Sequence, residues 1–186
     1  MSGVKQRLQP AVVFAIALPL LLAVVVAGIA ITARVRGDDA VAPPVAETGP
    51  LALAPVDAPD AGSGSCTTLL DALPATLDGG RATRPLAAPA PPASRAWAAV
   101  PRPVVLRCGL PRPAELTPTS ALLAVNGVSW LRLDDGVPDP VVITYVAVDR
   151  PVYVVLTVPV DAGSAPLQQI SDVVRDKLPT TAVAVR

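Results

Sequence analysis

The stretch LLAVNGVSWLRL, residues 122–133, decides how the second half of the chain is read. Two apolar runs flank Asn126-Gly127, the residue pair that most readily takes positive φ at both central positions of a tight turn. The stretch therefore predicts a two-residue hairpin with strands over Leu122 to Val125 and Val128 to Leu133. Downstream, Val141 to Val148 and Val152 to Val158 are β-branched runs separated by Asp149-Arg150-Pro151, and they predict a second antiparallel pair. Upstream, Val104, Val105, Leu106 and Cys108 predict one more strand. Trp130, Tyr145 and Tyr153 are expected to pack in or beside this sheet.

Helical spacing brackets the strands. Leu69, Leu70, Leu73 and Leu77 predict a short helix from Cys66 that ends near Leu73, before Pro74, and a proline-rich loop follows to Pro103. Near the C-terminus, Leu167, Ile170, Val173, Val174 and Leu178 share one face of a helical wheel, with Gln168, Asp172, Arg175 and Lys177 on the other. Ser164 is placed to cap that helix, and Arg175 and Lys177 complement its dipole. The expected fold class is α+β over residues 66–186: a small antiparallel sheet of about five strands with a short N-terminal and a longer C-terminal helix.

The first third of the chain reads differently. Mean hydropathy is +0.53, and much of it comes from the uncharged run between Ala11 and Ala33, long enough to predict a transmembrane helix over 11–33 with a cytoplasmic tail at 1–10. A cleaved signal peptide is the competing reading, although its apolar core is ordinarily shorter. Of the 23 prolines, Pro43, Pro44, Pro50, Pro55 and Pro59 fall among Ala, Asp, Gly and Ser, and residues 34–65 are accordingly expected to be a disordered, proline-rich linker. Lys5 and Arg7 before the apolar run and Arg34 and Arg36 after it leave orientation nearly tied.

Two cysteines, Cys66 and Cys108, lie beyond the linker. An even count in an exported domain predicts one disulfide, which breaks the orientation tie in favour of an extracytoplasmic C-terminal domain at the cell membrane; two buried free thiols are the alternative. A lipid anchor on Cys66 is excluded by its distance from the apolar run, and with no histidine a zinc site is not expected; nor is any other cofactor.

Composition excludes much else. Fifteen basic and 15 acidic residues give zero formal charge, and aromatics are 3%, so nucleic-acid binding is not expected. The absence of histidine removes the Ser-His-Asp and Cys-His designs, and no Cys-x-x-Cys pair or glycine-rich phosphate loop is present. Carboxylate chemistry is left to Glu115 or to Asp134, Asp135 and Asp139, a cluster that also reads as a solvated turn. Charge is nevertheless uneven: Arg81, Arg84, Arg95, Arg102, Arg107 and Arg112 follow one another with no acid between Asp78 and Glu115. They are either a contact loop for an envelope protein or anionic polymer, or a solvated loop.

At Leu106-Arg107-Cys108-Gly109, Arg112-Pro113, Asn126-Gly127-Val128-Ser129-Trp130-Leu131 and Asp149-Arg150-Pro151-Val152-Tyr153 the chain resembles an actinobacterial family catalogued as domain of unknown function 3515. A tryptophan shortly before the cysteine strand, here Trp97, adds to the likeness, while Ala98-Ala99 depart from it. The resemblance implies an exported or membrane-anchored protein and carries over no catalytic residue or ligand. The expectation is a non-enzymatic binding module of the cell envelope. The alternatives are an accessory subunit of a membrane complex, acting through its helix, and a cell-wall enzyme using carboxylates.

Overall fold

The computed structural model describes residues 20–28, 45–133 and 136–185. The chain divides into two compact units, Met1–Pro43 and Pro44–Arg186. Of the first, residues 20–28 are helical. Among the described residues no helix is long and apolar enough to cross a membrane, so the transmembrane helix expected over 11–33 is not found among them. The rest of that segment, the expected tail at 1–10 and residues 34–44 of the expected linker lie outside the described residues.

The second unit is built on one antiparallel sheet. Its strands are β1 (Thr76–Leu77), β2 (Arg81–Arg84), β3 (Ser94–Trp97), β4 (Val104–Leu110), β5 (Leu122–Val125), β6 (Val128–Leu133), β7 (Val142–Ala147) and β8 (Tyr153–Pro159). They are ordered β1-β2-β3-β4-β8-β7-β6-β5. The hairpin forms in the expected register, Val125 opposite Val128, with φ of 47° at Asn126 and 80° at Gly127. The expected count of about five strands is wrong, because the sheet has 8 among the described residues. The three extra strands occupy the stretch read as a loop; they are two to four residues long, flanked by prolines, and show no apolar alternation. They pair because the long strand β4 templates β3, and β3 templates β2.

Two helices cover one face of the sheet. Helix α1 (Gly64–Ala72) starts where the Ser63 hydroxyl accepts the Cys66 N–H, and it buries Cys66 and Leu69. Helix α2 (Ala165–Lys177) buries Leu167, Ile170 and Val174, as its apolar periodicity demands. Ser164 occupies its N-cap position without a side-chain capping bond, contrary to expectation; its backbone is already in the helical region, and Pro166 in the first turn removes one orphan donor instead. Both helices join Trp97, Val104, Leu106, Trp130, Val154 and Leu156 in a single core. Cys66 on α1 and Cys108 on β4 form a disulfide with Cα atoms 5.6 Å apart, so this expectation holds.

The opposite face of the sheet carries irregular segments. Leu116, Leu131, Val146 and Val148 make a smaller core there. Residues 45–61, read above as the distal part of a tether, form a strap against the domain. The Leu51 N–H donates to Pro85 O at 2.8 Å, the Ala87 N–H to Leu51 O at 2.9 Å, and the Asp60 N–H to Gly109 O at 3.0 Å. Gly109, with φ of 83°, is where the strap passes closest, and a Cβ there would stand 2.3 Å from the Ala61 nitrogen.

Candidate functional site

Two of the family-like motifs, Asn126–Leu131 and Asp149–Tyr153, meet at the hairpin, and both do structural work there. Arg150, almost fully buried, donates from Nη1 to the Asp149 carbonyl at 2.9 Å and from Nη2 to Gly127 O at 2.7 Å, clamping the hairpin turn. Its Nη1 also lies 3.0 Å from Asp149 Oδ1, and Asp149 Oδ2 accepts the Ser129 N–H at 2.9 Å. The Asp149 carbonyl accepts Thr181 N–H, which fixes the C-terminal segment. From the other side, Asn126 Nδ2 donates to Asp172 Oδ1 at 3.0 Å, docking the turn on α2. Trp130 Nε1 donates to Ser171 Oγ at 2.9 Å, and that hydroxyl donates to Leu167 O at 2.6 Å, so the indole has a partner inside the core. These residues hold sheet to helix.

The six arginines singled out in the sequence are largely consumed by their own chain. Arg84 donates from Nε to Gly49 O at 2.6 Å and pairs with Glu47 at 2.9 Å. Arg95 reaches Leu70 O at 3.1 Å, Arg107 reaches Ala54 O at 3.0 Å, and Arg112 reaches Ala184 O at 2.9 Å and also Leu116 O. Arg81 donates to Asp78 O. Burial against the strap lowers the pKa of the Arg107 guanidinium. Only Arg102 of the six is exposed with no hydrogen bond or ion pair among the described residues. The guanidinium groups, four of the five borne by β2, β3 and β4, thus cap carbonyls of the strap, of other irregular segments and of the end of α1.

Of the carboxylates, Glu115 and Asp139 are exposed on separate loops, and Asp134 and Asp135 lie outside the described residues. Among the described residues no group of three or more His, Cys, Asp or Glu side chains could hold a metal ion. Arg175 on α2 bonds Asp176 and Asp172, and these hydrogen bonds raise its pKa.

What the sequence did not mark is an apolar trough at the end of the sheet beyond the start of α2. Strand alternation puts Leu123 and Val125 of β5, Ile143 and Tyr145 of β7 and Val158 of β8 on the helix-covered face. Because α2 begins only at Ala165, after the turn at Gly163, it covers Val128, Trp130 and Leu156 and leaves Leu123, Val125, Ile143 and Tyr145 only partly covered, with Val158 itself buried. With Leu167 as its wall, the trough has a volume of about 400 Å3. It opens beside β5, an edge strand whose Leu122 and Leu123 side chains are 38% and 47% exposed. Arg132, paired with Tyr145 across the β6–β7 ladder, stands exposed at its margin.

No curated protein and no solved structure matches the chain. The model of one family does, described as a protein of unknown function (DUF3515), and it matches residues 16–183, a span that takes in the strap, the disulfide, the hairpin clamp and the trough. The chain belongs to the DUF3515 family.

Proposed function

We propose that this chain is a non-enzymatic binding module that works outside the cytoplasm and takes its partner at the trough beside β5. One observation carries the reading: a half-roofed apolar depression adjoins a strand edge that bears two exposed leucines and has no partner among the described residues. Such a combination offers main-chain hydrogen bonds for affinity and side-chain pockets for selection, which is how strand-adding recognition surfaces work. The extracytoplasmic setting is supported by the Cys66–Cys108 disulfide, since reducing compartments keep structural thiol pairs open. The arginine loop has less in its favour as a contact surface, because five of its six guanidinium groups already bond the protein itself. A carboxylate enzyme has less again, with Glu115 and Asp139 on separate exposed segments.

The test is a photo-reactive amino acid in the full chain, placed at Leu123 in one version and at Val56 on the strap in another. Irradiation in cells is expected to give a discrete adduct from position 123 and none from position 56. Adducts from neither, or the same smear from both, would reject the trough as the contact surface.

A further inference from the structure

We infer that the partner strand is β5 of a second copy of this chain, the two edges pairing antiparallel about a two-fold axis at Leu123. This rests on the trough being the contact surface. The register argues it first. In a two-residue hairpin the residues flanking the turn exchange both hydrogen bonds, and bonded and non-bonded pairs then alternate. Val125 opposite Val128 is therefore a bonded pair, as is Leu123 opposite Trp130. Leu122 and Ala124 turn their N–H and C=O groups away from β6, and no backbone hydrogen bond meets them among the described residues.

Those outward residues stand symmetrically about Leu123. Setting Leu122 of one copy opposite Ala124 of the other, and the reverse, satisfies every one of these groups. The same register places the two Leu123 residues at a non-bonded pair on the axis, where facing Cα atoms are only about 4.5 Å apart. Each Leu123 then closes the open side of the other copy's trough, and the two depressions become continuous.

Charge favours a second copy over a foreign strand. Exposed edges are ordinarily protected by Lys, Pro, a bulge or a cover, and among the described residues Leu122–Val125 has none of these. The whole stretch from Leu116 to Leu131 is without a charged residue. Around a two-fold axis a group near the axis meets its own copy, so the absence of charge around Leu123 leaves nothing there to repel a second copy, whereas a different partner is better selected by complementary charge.

The full chain has two cysteines, both in the disulfide, so Leu123→Cys introduces the sole free thiol. Under mild oxidation L123C is expected to give a covalent dimer on a non-reducing gel, forming roughly tenfold faster than with L122C, whose copies are offset along the strand. Ala124→Pro removes an outward N–H and spares the β5–β6 ladder, and it should abolish the L123C dimer. Ala124→Lys, which sets like charges near the axis, should do the same if the proline variant loses its circular dichroism signature. Equal cross-linking at 122 and 123, or none at 123 in folded protein, overturns self-pairing. If L123C stays monomeric while the photo-reactive group at 123 captures another polypeptide, the second copy is wrong and the trough reading stands; if neither reacts, both fall.

Discussion

Asp149 and Arg150 show how a motif can be demanding at the residue scale without being catalytic. Their side chains are nearly excluded from solvent, and between them they tie the hairpin turn, the start of β6 and the C-terminal segment. Desolvating such a pair is costly, and its gain lies in the geometry it imposes, so removing one partner is worse than never having had either. Arg150→Met is expected to lower unfolding free energy by ~3–5 kcal/mol, read as a shift of the urea midpoint at unchanged slope. Gly109 is demanding for a different reason: its φ of 83° and the strap backbone at 2.3 Å leave no room for a methyl group. Gly109→Ala should cost ~2 kcal/mol or more through the strained conformation alone, and further through displacement of the strap. Chemical denaturation measures the first effect, and faster amide exchange at Asp60 reports the second.

At the scale of elements, the strap and the three short strands are where chain pattern and structure part company. Residues 45–61 lack periodicity, and nothing in their composition separates a tether from a segment held by someone else's donors. What holds them is Arg84, Arg107 and the backbones of Pro85, Ala87 and Gly109, all remote in sequence. The Arg84–Glu47 ion pair adds little, since the Glu47 side chain is 81% exposed; the bond from Nε to Gly49 O, made from a nearly buried guanidinium, matters more. Arg84→Ala is expected to speed amide exchange at Leu51 and Ala87 roughly tenfold while leaving Asp60 near its original rate, because the strap opens locally from one end. Equal acceleration at all three amides would mean that the strap moves as a single unit. The hairpin at 122–133, by contrast, was legible, because Asn-Gly and its flanking runs specify turn and register locally.

For the whole molecule the Cys66–Cys108 bond is the main long-range constraint, joining the first helix to the central strand across 42 positions. Closing a loop of that length restricts the unfolded chain by about 4 kcal/mol in the entropy model, a large share of a small domain's stability. The double variant Cys66→Ala/Cys108→Ala is expected to lose about that much on denaturation, and a loss below ~1 kcal/mol would show that the core of both helices and β4 is sufficient alone. The chain's local pattern was enough for five of the eight described strands, the hairpin register, the pairing of the two cysteines and the apolar face of α2. These rest on near-neighbour periodicity, turn chemistry and cysteine count. Long-range contacts alone settle that β1, β2 and β3 join the sheet, that 45–61 packs as a strap, and that five of the six arginines between Asp78 and Glu115 are bound internally. The tertiary structure alone also revealed the trough, which exists because α2 starts too late to cover the end of the sheet. Each of these depends on which distant groups meet, and a polar or proline-rich segment takes its conformation from the donors, acceptors and edges that the rest of the fold presents to it.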